Sequence, residues 1–311
     1  MSTPLPVLFF DRQLPNEFRD LVDGIAVVVG PDDDDLSRAD AVVAGMRTWD
    51  AAAMARGSRL RVISRLGVGY DTVDVGAATA SGITVCYAPQ APTVSTAEHT
   101  IALMLAVTKG LHAANTRAQQ GLAGGPATAL ELDGAVLGLL GLGRIARRVA
   151  AVGASLGMTI IAHDPLLPTD AASGLNGHVT MVSFEQLWTQ CDVVSLHAPA
   201  TTATRHVVNA PTLAMMREGG YLINCARGSL VDQHALLNAL ESGHLAGAGL
   251  DVTEPEPLPE GHPLLVHPRA LVTPHIASST SAGRRRLYEH AIGHALATLA
   301  GTPTSVVPEQ C

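Results

Sequence analysis

The chain has 311 residues, 47% of them hydrophobic, with a net charge of −8 and a pI of about 5.9, a balance expected of a globular protein with a large core. The acidic balance argues against a general nucleic-acid surface, and no uncharged apolar stretch is long enough to span a bilayer. Cys86, Cys191, Cys225 and Cys311 form no Cys-x-x-Cys pair and the dispersed histidines no His-Glu-x-x-His, so neither a metal cage nor a disulfide framework is expected, and a reducing cytoplasm is the simplest home.

Along the first hundred residues, short β-branched runs at 7–10, 26–29, 41–44, 61–64 and 83–86 alternate with segments long enough for helices, which predicts a parallel sheet. The acidic run at 32–35 reads as a solvated loop or helix start. From about Ser95 to Gly121 the pattern turns helical, and Ser95 followed by Glu98 matches a capping box that would open the helix there. Glycines and Pro126 break it, and a second strand series follows at 135–140, 159–162, 193–196, 221–224, 246–250 and 271–273. The pattern is helical again after Ser281, and this last helix can return to the first domain and make it discontinuous.

Strand 135–140 ends in Gly-x-Gly-x-x-Ala, with Gly141, Gly143 and Ala146 opening a helix through Arg144 and Ile145. Gly141 permits a tight turn, Gly143 admits a diphosphate to the backbone, small Ala146 allows close helix packing, and the helix N-terminus offers free amides. Asp164, about twenty residues on at the end of the next strand, can accept hydrogen bonds from an adenosine ribose. No arginine follows it until Arg205, so a 2′-phosphate would meet a carboxylate and NAD is favoured over NADP.

Downstream, three apolar runs end in Asn224-Cys-Ala-Arg227-Gly228, in a segment holding Asp251, Glu254 and Glu256, and in Thr273-Pro-His275. An arginine fork, a carboxylate and an imidazole are the parts needed to bind a 2-oxo acid and move one proton. With Ser64-Arg-Leu-Gly67-Val-Gly69, Thr96-Ala-Glu98-His-Thr100 and Leu196-His197-Ala-Pro199, these motifs resemble the D-isomer-specific 2-hydroxyacid dehydrogenases over nearly the whole chain.

That resemblance implies an α/β protein of two doubly wound parallel-sheet domains. A Rossmann-type NAD domain at 98–280 would be inserted in a discontinuous flavodoxin-like substrate domain at 1–97 and 281–311. It implies a homodimer that moves a hydride between NAD(H) and C2 of a small 2-hydroxy or 2-oxo acid of the glyoxylate, hydroxypyruvate or 3-phosphoglycerate class. By the same resemblance Arg227 holds the substrate, His275 is the acid/base, and Glu256 rather than Glu254 is its carboxylate partner. Val68 and Gly69 would donate amides to the substrate carboxylate, and Arg65 could reach a substrate phosphate. Asp251 would lie by the nicotinamide or cap its loop, while Ala198, Thr204, Cys225 and Ala226 would join Gly141, Gly143, Arg144, Ile145, Asp164, Arg227 and His275 around the cofactor. Glu256 departs from the glutamine typical of formate dehydrogenases, Val68 from the lysine of phosphite dehydrogenases, and the Gly-x-Trp element frequent after the interdomain helix is missing. A dehydrogenase-like corepressor that senses NADH is the alternative reading.

Overall fold

The computed structural model describes residues 4–31, 36–124, 129–168 and 179–311, so the acidic run at 32–35 and Pro126 lie outside the described residues. The chain divides into two compact units, one of residues 1–93 with 279–311 and one of residues 94–278.

Among the described residues the first unit holds five parallel strands: β1 (Val7–Phe10), β2 (Val27–Val29), β3 (Ala41–Ala44), β4 (Val62–Arg65) and β5 (Thr84–Cys86). Their spatial order is β2-β1-β3-β4-β5, the flavodoxin-like doubly wound arrangement. Both faces are covered, as the near-continuous apolar runs require: Ala41, Val43 and Val62 point into one core, Val42, Ala44 and Ile63 into the other. Helix Ser281–Leu299, capped by Thr280, supplies Leu287, Tyr288, Ala291, Ile292 and Ala295 to the first of these cores. The closing segment protects the β5 edge, where Val307 N–H donates to Val85 O (3.0 Å) and Val85 N–H donates to Gln310 Oε1 (2.7 Å).

The second unit carries β6 (Val136–Leu140), β7 (Thr159–His163), β8 (Val179–Met181), β9 (Val193–Leu196), β10 (Gly220–Asn224), β11 (Leu245–Leu250) and β12 (Ala270–Val272). All are parallel in the order β12-β11-β10-β9-β6-β7-β8, the Rossmann arrangement with its switch point between β6 and β9. Every strand therefore ends at one sheet edge, where a crevice forms beside the switch point.

Two expectations need correction. The helix expected from about Ser95 opens instead at Thr93, directly after Pro92, whose fixed φ favours a helix start; Ser95 is then an interior, buried residue rather than a cap. The stretch to Gly121 is also two helices, Thr93–Thr108 and Leu111–Gln119, because Gly110 adopts a left-handed conformation (φ +60°) between them. The short strand β8 has no counterpart among the apolar runs read from the sequence.

Candidate active site

The turn after β6 is built by contact as well as by conformation. Gly141 has φ +90°, and a Cβ there would stand 2.9 Å from the carbonyl carbon and oxygen of His197, so the backbones leaving β6 and β9 pack against each other. Gly143 is different: its φ is ordinary, a Cβ would meet nothing within 4 Å, and it is the N-cap of helix Arg144–Ser155 with no side-chain cap bond. The helix thus begins with uncapped amides facing open space, as a diphosphate site requires. Arg144 and Ile145 form its first turn, while Ala146, Val149, Ala150 and Gly153 seat it on the sheet. A Cβ on Gly153 would meet Leu137 and Ile160 at 2.9 and 3.0 Å, so the helix lies tight against β6 and β7.

Asp164 follows β7 and accepts from Leu142 N–H (2.9 Å, Oδ2) and Leu166 N–H (3.0 Å, Oδ1). It ties the glycine turn to the end of β7, and a carboxylate still has lone pairs for a ribose. Residues present here fit NAD: open helix amides, a close-approach glycine and a carboxylate one strand away. Across the switch point, the Thr204 hydroxyl donates to Pro199 O (2.7 Å) and accepts from Thr201 N–H (2.8 Å), so it closes its own turn, and Ala198 lies beside Gly141.

At the end of β10, buried Asn224 cinches the next turn by donating to Arg227 O (2.8 Å) and accepting from Ala226 N–H (3.0 Å). Arg227 Nη1 donates to Ala226 O at 2.8 Å. Gly228 is compulsory, since a Cβ would run into the carbonyl of Thr253. Cys225 is half-buried and its thiol is pushed up to about 12 by desolvation, which disfavours the reactive thiolate.

Beyond β11 the two candidate carboxylates part company. Glu254 binds Arg205 Nη1 (2.9 Å) and lies 3.4 Å from His206 Nε2, and the Arg205 hydrogen bond holds its carboxyl below the usual range. Glu256 stands against the imidazole of His275, Oε1 to Nδ1 at 2.5 Å. An ionised carboxylate only accepts, so Nδ1 carries the hydrogen and Nε2 is the nitrogen that can exchange a proton with a substrate. His275 has left-handed φ of +52°, and its N–H donates to Asp251 O (2.8 Å). The Asp251 carboxylate is wholly buried: Oδ1 accepts from Thr273 Oγ1 (2.6 Å) and Ile276 N–H (2.9 Å), Oδ2 from Ala277 N–H (2.8 Å). Of the two roles expected for it, capping the loop is the one visible in these bonds.

In the first unit, the loop after β4 exposes Val68, and among the described residues the amides of Val68 and Gly69 have no protein acceptor. Arg65, expected to be able to reach a substrate phosphate, is 3% exposed, with Nε donating to Gly69 O (3.0 Å) and Nη1 to Ala44 O (2.8 Å). It props the loop from within. His99, to which the sequence assigns no role, places Nε2 3.1 Å from Thr273 Oγ1 and 3.3 Å from Asp251 Oδ1. Its partners lie far along the chain, so no local spacing marks it.

Among the described residues no group of three or more His, Cys, Asp and Glu could hold a metal ion, and no helix is long and apolar enough to cross a membrane.

Residues 101–277 match the model of the D-isomer specific 2-hydroxyacid dehydrogenase, NAD binding domain, which makes the second unit an NAD-binding domain. The chain is 40% identical over 222 residues to the D-3-phosphoglycerate dehydrogenase of Bacillus subtilis, covering 71% of this chain and 42% of that one. It spans between 35% and 55% of the length of the curated relatives it matches. Among solved structures it is similar to the TT0316 protein of Thermus thermophilus, with 38% identity and a TM-score of 0.85 over 97% of this chain and 99% of that chain. A glyoxylate reductase from Paecilomyes thermophila is 29% identical, with a TM-score of 0.88 over 99% of this chain and 100% of that chain. The strand order, the glycine turn and the 101–277 match converge, and the chain belongs to the D-isomer specific 2-hydroxyacid dehydrogenase family of oxidoreductases.

Proposed function

We propose that the chain is an NAD-dependent 2-hydroxyacid dehydrogenase that interconverts a small D-2-hydroxy acid and its 2-oxo acid. The observation that carries this reading is the 2.5 Å His275–Glu256 pair at the strand edge that also bears the glycine turn and Arg227. NAD(H), when bound, supplies or accepts the hydride. Gly141, Gly143, Arg144 and Ile145 would hold its diphosphate and Asp164 its ribose, with Ala198, Thr204, Cys225, Ala226 and Asp251 lining the way to the nicotinamide. Arg227 would grip the substrate carboxylate and carbonyl through its planar fork, and the amides of Val68 and Gly69 would take the carboxylate.

In the reducing direction His275 would deliver its Nε2 proton to the C2 oxygen as charge develops there, and in the oxidising direction Nε2 would take the hydroxyl proton. Glu256 keeps Nδ1 occupied and the ring turned. Hydride plus proton accounts for the two-electron change. Glyoxylate, hydroxypyruvate and 3-phosphohydroxypyruvate are the substrates to try first, given the activities named for the relatives. A homodimer is proposed because helix Leu111–Gln119 has no buried residue and Leu111 is 55% exposed, and a reducing, cytoplasmic setting because all four cysteines are free.

The test is a screen of NADH and NADPH oxidation over these 2-oxo acids, repeated with His275→Ala and Arg227→Ala. Turnover is expected with NADH over NADPH, His275→Ala should lose roughly 10²- to 10⁴-fold in kcat, and NADH binding should persist in both variants. NADH binding without turnover of any acid, or full turnover in both variants, would overturn the reading.

A further inference from the structure

We infer that His99 is a positioning residue for His275, acting through Thr273 and Asp251; the inference rests on the proposed acid/base role of His275. The loop bearing His275 is folded around one buried carboxylate. Asp251 accepts from Thr273, Ile276 and Ala277 through its side chain and from His275 N–H through its carbonyl, so the residues on both sides of the imidazole are strapped to it. Its own N–H donates to Asn224 O (2.8 Å), which ties it to the end of β10 and the turn that carries Arg227. A histidine in the left-handed region is sparsely populated unless its surroundings impose it, and this strap does so.

The hydrogen positions follow from the partners. The Asp251 carboxylate only accepts, so Thr273 Oγ1 directs its hydrogen to Asp251 Oδ1 and turns its lone pairs away. His99 Nε2, 3.1 Å from that oxygen and 3.3 Å from Asp251 Oδ1, is therefore the donor to both. Burial by itself would raise the pKa of Asp251. The bonds from His99 and Thr273 and the amides of Ile276 and Ala277 bring it below its ordinary value, so the strap is a carboxylate and not an acid.

His99 belongs to helix Thr93–Thr108, whose buried Ala97, Leu103 and Met104 pack on one face of the seven-stranded sheet. It thereby joins a rigid element to an otherwise irregular loop. Without its N–H the buried Asp251 carboxylate loses a donor and the lone pairs of half-buried Thr273 lose theirs. The 273–277 loop then gains freedom to carry the imidazole away from its productive position, and small misplacements at a reacting centre are costly in rate.

The experiment compares His99→Leu with His99→Gln, whose amide can donate from nearly the same place. One readout is kcat together with KM for the 2-oxo acid and KM for NADH, each measured with the other substrate saturating. The other is the ring nitrogen signal of His275 in cofactor-free protein by NMR, assigned with His275→Ala. His99→Leu is expected to lower kcat roughly ten- to a hundredfold with KM for NADH held within about twofold, and to shift the His275 ring signal; His99→Gln should restore both. Wild-type kcat and an unmoved ring signal in His99→Leu would overturn the inference, as would a His99→Gln variant as impaired as His99→Leu, which would mark packing instead of donation. If His99→Leu does not fold, Thr273→Val breaks the same bridge and must show the same two effects. Should the wild-type chain turn over no 2-oxo acid, the functional reading fails by itself, and the ring signal alone decides the positioning role.

Discussion

Gly143 and Gly228 sit in the two motifs that define the candidate site, yet the structure asks opposite things of them. A Cβ at Gly228 would be driven into the carbonyl of Thr253, backbone that cannot step aside, so Gly228→Ala should cost about 1–3 kcal/mol by urea denaturation and disturb Arg227 beside it. At Gly143 a Cβ meets nothing, so Gly143→Ala should leave stability within roughly 0.5 kcal/mol while weakening NADH by about tenfold, read by fluorescence titration. Equal losses of stability in the two variants would sink the distinction. Sequence spacing names both glycines but cannot separate a packing constraint from an open cradle, because the difference lies in Thr253, far along the chain. Arg65 shows the same limit: its place before a glycine loop suggests a reaching arm, but the acceptors Ala44 O and Gly69 O draw it inward. His99 is the converse case, chemically eloquent only once Asp251 and Thr273 are folded beside it.

At the level of elements, strand rhythm is legible because both sheets are parallel and covered on both faces, which leaves uninterrupted apolar runs. The strand ends can be assigned to chemistry for the same reason, since parallel strands all deliver their C-terminal residues to one edge. Helix continuity is not legible past Lys109. Periodicity alone does not reveal that Gly110 turns left-handed and releases a separate helix, Leu111–Gln119. That helix has Leu111 at 55% exposure and Leu122 just beyond it at 49%, apolar surface that a second copy of the chain would cover. Sedimentation is expected to give a dimer at micromolar concentration, and Leu111→Glu combined with Leu122→Glu a folded monomer. A double variant that remains fully dimeric would place the contact elsewhere.

For the molecule as a whole, groups held away from their ordinary pKa set how stability falls with acid. His197, at the end of β9 with Nε2 3.0 Å from Ser195 Oγ, is pushed down to about 4 by burial. His267 is lowered by burial and then by the Arg269 charge, and His294 by burial and then by His290. Each stays neutral in the folded chain at a pH where the unfolded chain has already taken a proton. The unfolded state therefore binds more protons between the two pKa values, so stability is whole above the ordinary value of 6.5 and declines as pH falls toward the folded value. For His197 that window runs from 6.5 to about 4, and at about 1.4 kcal/mol per unit the upper bound on the loss is roughly 3–4 kcal/mol, reduced by whatever solvent reaches the ring. Asp251 acts lower on the scale. Its folded pKa lies below 3.8, so its contribution is present above that pH and is lost only as pH drops through the folded value. Urea midpoints measured across pH should thus decline from 6.5 to about 4 and again below 3.8. His197→Asn is expected to flatten the upper decline and spare the lower, whereas Asp251→Asn should lower stability at neutral pH and remove the lower step. A wild-type midpoint that stays level from pH 7 to about 4 would show that His197 takes its proton without cost to the fold.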